Sequence, residues 1–108
     1  MTSTGGFSAS VTTTGDVVLV TIAGEADLSA RADFSAALES ALATDAPKVV
    51  LDVARLSYLE SACLRTVLHA HRTADEQGRR LVMRNVRGIV RRVLDVAGVT
   101  AVLVENGN

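Results

Sequence analysis

The chain has 108 residues, which is enough for one domain and too few for two. Its 11 lysines and arginines nearly balance its 12 aspartates and glutamates, so the charge gives no sign of a nucleic-acid or anionic-membrane partner. The single cysteine excludes an intrachain disulfide and a zinc site built from four cysteines. The sequence shows neither a membrane-length apolar run nor a signal-like start, and we expect a soluble cytoplasmic domain.

Two strands joined by a turn are predicted at the start of the chain. Residues 1–6 are Thr, Ser and Gly after the initial Met, and we expect a flexible N-terminal tail there. Residues 7–14 alternate apolar and polar side chains, which is the period of a half-exposed strand. A turn sequence at 14–16 leads to a second, β-branched strand at 17–24, so the two strands are predicted to form a hairpin.

A helix and then a buried strand are predicted next. The helix has an apolar stripe at helical spacing, which consists of Phe34, Ala37, Leu38, Ala41 and Leu42. Ser29 is the predicted N-cap, and Asp33 lies in or near the first turn, where the helix dipole favours an acid. Residues 48–54, "KVVLDVA", are short, mostly apolar and β-branched, which predicts a central strand buried on both faces.

Helices and strands alternate in the second half of the chain. A helix is predicted over 62–77, where Leu64, Val67, Leu68 and His71 form the apolar stripe and Gly78 follows the end. A strand is predicted at 80–85. A third helical stripe consists of Val86, Ile89, Val90, Val93, Leu94 and Ala97, with Gly98 at its end, and residues 101–105 predict a last strand.

The predicted order is therefore β-β-α-β-α-β-α-β. Strands that alternate with helices imply right-handed crossovers and a mostly parallel sheet, and the opening hairpin makes that sheet mixed. The sequence predicts the α/β class, with one domain over residues 7–108, a sheet of about five strands, and three or four helices.

Ser61 stands where the chain turns from the buried strand into the second helix, within "LSYLESACLRTVL" at 56–68. Local chemistry favours an N-cap, whose oxygen accepts a backbone N–H and contributes about 1 kcal/mol. The same position suits a phosphate, because free N–H groups and the positive end of the helix dipole stabilise its charge. Glu60 can accept or orient the hydroxyl proton, and it would repel an added phosphate.

This segment resembles the phosphoacceptor loop of STAS domains, the family of sulphate transporter domains and anti-sigma factor antagonists. The family pattern is roughly apolar–Asp–Ser–Ser/Thr–Gly–Leu, and residues 59–64 read "LESACL". "GEADLSA" at 24–30 resembles the Gly-Glu-hydrophobic-Asp segment before the family's first helix, and "LVMRNV" and "VRRVLDVAGV" resemble its later strand and third helix. The resemblance covers nearly the whole chain and implies a STAS-like fold.

The resemblance implies roles for individual residues. Ser61 takes the position of the phosphorylated serine, Glu60 stands where the family has Asp, and Asp27 matches the acidic residue of the loop beside the phosphosite. The implied partner-binding residues are Asp27, Glu60, Ser61, Ala62, Cys63, Leu64 and Arg65. The chain departs from the pattern at three of them, because Glu60, Ala62 and Cys63 replace Asp, a hydroxyl residue and Gly.

By this resemblance the domain is an anti-sigma factor antagonist that regulates transcription by partner switching in a bacterial stress response. Unmodified, it would bind an anti-sigma factor with serine kinase activity and free a sigma factor. Phosphorylated at Ser61, it would release that partner, and a serine phosphatase would restore it. The domain would be a substrate and not an enzyme, and it would need no cofactor because the partner uses ATP. We expect a monomer or weak dimer with no direct nucleic-acid or membrane contact.

Two other functions remain open from the sequence. One is a STAS interaction or sensing module that works without phosphorylation, with Cys63 as a redox input, because a helix N-terminus can lower the pKa of a thiol. The other is a small thiol-dependent enzyme, although neither His69 nor His71 is locally placed to act as its base. These histidines diverge on a helix and make poor metal ligands, so we expect His69 to be solvated and His71 to be a half-buried packing residue.

Six arginines and no acid stand in residues 79–92, "RRLVMRNVRGIVRR". A nucleic-acid patch would need these side chains on one surface. Strand geometry separates the arginines at 79, 80 and 84, and those at 87, 91 and 92 fall on the polar side of a helix. A solvated face is therefore favoured, with docking to an acidic partner as the next option.

Overall fold

A four-stranded mixed sheet organises the chain in the computed structural model, which describes residues 6–105. The strands are β1 (Ser8–Thr14), β2 (Val17–Ala26), β3 (Lys48–Leu59) and β4 (Arg80–Arg84), and their order in the sheet follows the chain. β1 is antiparallel to β2, whereas β2, β3 and β4 are parallel. The helices are α1 (Arg31–Leu42), α2 (Ser61–Glu76), α3 (Gly88–Ala97) and the short α4 (Thr100–Leu103).

The predicted class and hairpin are confirmed. Thr14 pairs with Val17 across the turn, and the alternating pattern of β1 leaves Val11 half-buried between exposed neighbours. The central strand is confirmed as well, because Val49, Val50 and Leu51 in β3 are all fully buried between β2 and β4. Of the tail predicted for residues 1–6, residues 1–5 lie outside the described residues.

The last predicted strand, residues 101–105, is wrong. Residues Thr100–Leu103 form α4, and only Val104 bridges to Met83 of β4. Gly98 ends α3 in the left-handed conformation, and the hydrogen bond from Leu103 N to Val99 O turns the chain again at once. This helical turn buries Leu103 completely. The sheet therefore has four strands instead of about five.

One core lies between the sheet and its helices. It is aliphatic, as the composition requires, and Phe34 is the aromatic residue that it buries fully. Within the described residues no polar or charged residue is fully buried. The predicted stripe of α3 is partly wrong, because Val90 and Leu94 are buried whereas Ile89 and Ala97 are exposed. α3 packs chiefly on β3, so a narrow stripe suffices to attach it.

β3 is longer than predicted, and this length positions the loops that carry Asp27 and Ser61. It continues from Ala54 to Leu59 and keeps parallel pairing with β2 until Leu59 lies opposite Ala26. Because parallel strands end at the same edge of a sheet, the loops that follow β2 and β3 leave side by side.

The end of β2 is irregular at Gly24. The pairing with β3 shifts register between Thr21 and Ala23 and again between Gly24 and Glu25. Gly24 has a φ of 92°, and a Cβ there would overlap the carbonyl oxygen of Gly6. The Ser57 hydroxyl donates a hydrogen bond of 3.0 Å to the Gly24 carbonyl. Bulges of this kind redirect the residues that follow, here the segment that ends β2 and leads to Asp27.

We predict that Gly24→Ala destabilises the fold more than Gly15→Ala does. Both glycines have positive φ, so both variants strain the backbone by about 1–3 kcal/mol. Only Gly24 also meets the backbone of Gly6, whereas nothing lies within 4 Å of a Cβ at Gly15. Urea denaturation gives the free energy of unfolding of each variant, and equal losses would contradict the close approach at Gly24.

Candidate functional site

The loops that follow β2 and β3 are in contact at the carboxyl edge of the sheet. The backbone N–H of Glu60 donates to the carbonyl oxygen of Ala26 at 2.9 Å, which continues the pairing of the two strands. The thiol of Cys63 lies 3.8 Å from the carbonyl oxygen of Asp27. The structure therefore brings together the two segments that the sequence placed 33 residues apart, at Asp27 and Glu60.

α2 begins at Ser61, one residue earlier than predicted. The N-cap is Glu60, whose backbone is extended (φ −80°, ψ 153°) and whose carbonyl accepts the N–H of Leu64 at 3.0 Å. The prediction that Ser61 is the N-cap is therefore wrong, because the extended conformation of β3 persists through Glu60. The Glu60 side chain makes no capping hydrogen bond to the described first turn. The N-terminus of α2 thus lacks the side-chain cap that most helix starts have.

The Ser61 side chain is exposed and makes no internal hydrogen bond. Ser61 is the first residue of α2, and its hydroxyl has no hydrogen-bond partner among residues 6–105. Glu60 does not orient this hydroxyl, contrary to the expectation from the sequence. The Glu60 Oε1 atom is buried and has no hydrogen-bond partner in the described part of the chain. Modification of this hydroxyl would break no hydrogen bond within residues 6–105.

Asp27 has a structural task on the neighbouring loop. Its Oδ1 atom accepts hydrogen bonds from the backbone N–H of Ala30 at 3.2 Å and from the hydroxyl of Ser29 at 2.8 Å. These bonds cap a 3-10 turn, Leu28–Ala30, that leads directly into α1. Asp27 is therefore the cap and Ser29 its support, so the prediction of Ser29 as N-cap is wrong. Asp33 does lie in the first turn of α1, as predicted.

Cys63 is buried, and the pKa of its thiol lies above the ordinary value. Its side chain is 0% exposed. Burial is the main cause that raises the thiol pKa, with Glu60 and Asp27 acting in the same direction and Arg31 opposing them. The expectations of a lowered pKa and of an accessible redox input are therefore wrong. The same geometry removes the exposed thiolate that a thiol-dependent enzyme would need at this position.

Apolar side chains around Ser61 are unusually exposed. Leu28 is 63% exposed and Tyr58 is 43% exposed, and both line a groove with Ser61, Arg65 and Val93. A second groove beside Ser61 is lined by Leu64, Arg92, Val93, Val96 and Ala97. Apolar groups that cluster in the open commonly mark a protein interaction site. We call Asp27, Leu28, Tyr58, Glu60, Ser61, Ala62 and Arg65 the Ser61 surface.

Sequence reasoning missed the apolar part of the Ser61 surface. Leu28 begins the short 3-10 turn before α1, and Tyr58 lies near the end of a strand that is longer than predicted, so neither belongs to a recognisable stripe. The burial of Cys63, in contrast, could have been predicted from its spacing along the helix. Cys63 precedes Val67 by four residues and Ala70 by seven, which places it on the buried side of α2.

The remaining candidates have structural surroundings. His71 is half-buried, with Nδ1 at 3.0 Å from the carbonyl oxygen of Leu81, and His69 is exposed, as expected. Within residues 6–105 no group of three or more His, Cys, Asp or Glu residues is arranged to hold a metal ion. Arg79 donates to the carbonyl oxygens of Leu42, at the end of α1, and of Ala46, in the loop that follows, and is not part of a basic surface. No helix in this described range is long and apolar enough to cross a membrane.

Comparison with known proteins identifies the family. A family model described as "Mlab, STAS domain" matches residues 9–105. The chain belongs to the STAS domain family, as the resemblance of its loops indicated. No curated protein matches the chain in sequence.

Solved structures of low sequence identity share the fold. An anti-sigma factor antagonist from Mycobacterium paratuberculosis superposes with a TM-score of 0.84 at 16% identity, over 95% of this chain and 87% of that one. The anti-sigma factor antagonist SpoIIAA in its unphosphorylated form gives 0.70 at 23% identity, over 89% and 85%. The Bacillus cell fate determinant SpoIIAA in the phosphorylated form gives 0.69 at 21% identity, over 89% and 88%. These similarities confirm the STAS-like fold.

We predict that Asp27→Ala and Ser61→Ala differ in their effect on stability. Asp27→Ala removes the cap of the 3-10 turn before α1 and should lower the free energy of unfolding by about 1 kcal/mol. Ser61→Ala removes an exposed hydroxyl that caps nothing and should change it by less than about 0.5 kcal/mol. Thermal or urea unfolding measures both values. A loss for Ser61→Ala as large as that for Asp27→Ala would show that Ser61 does cap α2.

Proposed function

We propose that the domain is a cytoplasmic anti-sigma factor antagonist that is switched off by phosphorylation of Ser61. In the unmodified form it binds an anti-sigma factor with serine kinase activity, and a sigma factor is released. Phosphorylation of Ser61 by that kinase ends the interaction, and a serine phosphatase restores the unmodified form. The domain acts as a monomer or weak dimer, as the substrate of these enzymes and not as an enzyme itself.

The observation that carries this proposal is that Ser61, at the uncapped start of α2, is exposed and its hydroxyl has no hydrogen-bond partner in residues 6–105. In the transfer, the Ser61 Oγ attacks the γ-phosphorus of ATP held by the partner. The bond to the bridging oxygen breaks, ADP leaves, and the hydroxyl proton passes to a base or water in the complex. The product places an anion at a helix N-terminus, where free N–H groups and the helix dipole stabilise it. Two of the similar structures are of one protein, SpoIIAA, in its unphosphorylated and phosphorylated forms.

The Ser61 surface is the proposed contact with the anti-sigma factor. Leu28 and Tyr58 supply exposed apolar area, and Arg65 supplies an exposed charge beside it. Asp27, Glu60 and Ala62 are partly exposed and complete the surface. Cys63 and Leu64, which the sequence also assigned to partner binding, are buried. We therefore assign these two to support beneath the surface.

Local electrostatics is sufficient for the switch. A phosphate adds close to two negative charges at neutral pH, next to Glu60 in sequence and beside the loop of Asp27. In the complex this phosphate must also lose water, and a charge left unpaired in an interface costs on the order of 2–5 kcal/mol. At about 1.4 kcal/mol for each tenfold change, the loss in affinity is tens- to thousands-fold. The switch therefore requires no rearrangement of the fold.

A second candidate is a STAS interaction module that works without phosphorylation. The matching family model carries the description "Mlab, STAS domain", which does not name an anti-sigma factor antagonist. The chain also has Ala62 and Cys63 where the phosphoacceptor pattern has a hydroxyl residue and Gly. In this second case the same surface binds a partner, and Ser61 stays unmodified.

Calorimetric titration of an anti-sigma factor kinase from the same cell, with ADP bound, distinguishes the two functions. The Ser61→Ala variant should bind as the unmodified domain does, because the hydroxyl caps nothing. A domain with phosphoserine incorporated at position 61 during translation should bind tens- to thousands-fold more weakly. Ser61→Asp should fall in between, and Ser61→Asn is its uncharged control. Equal affinities for the unmodified, Ala and phosphorylated forms would rule out the switch and leave the second candidate.

A further inference from the structure

Two arginines from different helices flank Ser61. Arg65 is four residues along α2, so its Cβ lies about 5–6 Å from that of Ser61 on the same side of the helix. Both residues line the groove that also contains Leu28 and Tyr58. Arg65 is exposed, and its side chain is long enough to reach a group attached to the Ser61 oxygen.

Arg92 approaches Ser61 from α3. It lines the second groove, to which Ser61 also contributes, and Val93 is shared by the two grooves. Ser61 therefore occupies the junction of the two grooves, with one arginine in each. We call Arg65 and Arg92 the arginine pair.

Neither member of the arginine pair is engaged elsewhere. Within the range that the structure describes, Arg65 and Arg92 form no ion pair or hydrogen bond. Nearby arginines behave differently. Arg91 is 3.3 Å from Asp95, Arg84 is 3.2 Å from Glu105, and Arg87 donates to the carbonyl oxygen of Ala54. Arg65 and Arg92 are thus free of partners in the described residues, and they are the two arginines that line the grooves at Ser61.

The other charges near the start of α2 do not neutralise the pair. One carboxylate oxygen of Glu60 is buried without a hydrogen-bond partner in residues 6–105, and Asp27 accepts hydrogen bonds within the 3-10 turn. Arg31 at the start of α1 adds a further positive charge near Cys63. An anion on Ser61 would therefore face two unpaired guanidinium groups as well as the neighbouring carboxylate of Glu60.

We propose that the arginine pair receives the phosphate of phosphoserine 61 within the same chain. Arginine donates paired N–H groups in a geometry that matches phosphate oxygens, and such charge-assisted bonds are the stronger kind. Binding the phosphate links α2 and α3 beside Val93 and withdraws Arg65 from the Ser61 surface. Phosphorylation then both adds a charge to this surface and removes a donor from it. The inference rests on the proposed function for its biological use.

Phosphorus NMR titration of the domain with phosphoserine incorporated at position 61 during translation tests this pair. The second pKa of a free phosphoserine is about 6, and nearby cations lower it because they favour the doubly charged form. The N-terminus of α2 lowers this phosphate pKa in every variant, so the test compares the pKa between variants. Replacing both Arg65 and Arg92 with Gln should raise this pKa by about half a unit. The Arg72→Gln control, exposed on α2 about 16 Å along the helix from Ser61, should leave it unchanged.

Replacement of the pair by lysines should return the phosphate pKa most of the way to the value of the parent domain, since the positive charges are kept. This rescue also covers the case in which the Gln variant folds poorly. An identical pKa in the parent and the folded Gln variant would overturn the inference. The phosphate enters during translation, so the titration reads the pair whether or not a kinase acts on Ser61. Loss of the partner-binding switch and loss of the pKa difference are therefore separate results.

Discussion

The parallel pairing of β2 and β3 is the constraint on which the site depends. It holds to the last residues of both strands, where Ala26 lies opposite Leu59 and the N–H of Glu60 donates to Ala26. Because of that pairing, the chain leaves the sheet twice at one edge, once into α1 and once into α2. The irregularity at Gly24 and the length of β3 bring the ends of the two strands opposite each other.

The two helices that start at this edge differ in how their first turns are capped. The path into α1 is capped by Asp27 and Ser29, which fix the loop. The path into α2 has no comparable cap within residues 6–105, and Ser61 stands there with its hydroxyl exposed. The capped loop thus lies beside a helix start whose first residue, Ser61, has a free hydroxyl, and this arrangement suits the proposed modification. Cys63 and Leu64 keep that helix start in place from the core.

The sequence predicted the elements well because hydrophobic periodicity is a strong local signal. It failed where the outcome depended on neighbours. Residues 101–105 have strand-forming side chains, yet the chain forms a helical turn after Gly98 and buries Leu103 there. Ser61 is a good N-cap residue by type, but the extended backbone of Glu60 takes that place. The exposed side chains of Leu28 and Tyr58 were unpredictable, because their grouping results from the meeting of two loops distant in sequence.

The central claim is that Ser61 is modified in the cell. Intact-mass analysis of the domain purified from its native cells, across growth and stress conditions, followed by fragment mapping, tests it most directly. The account predicts a species heavier by one phosphate, with the added mass on Ser61, whose share changes between conditions. A single unmodified mass under all conditions, or a phosphate on another residue, would contradict it.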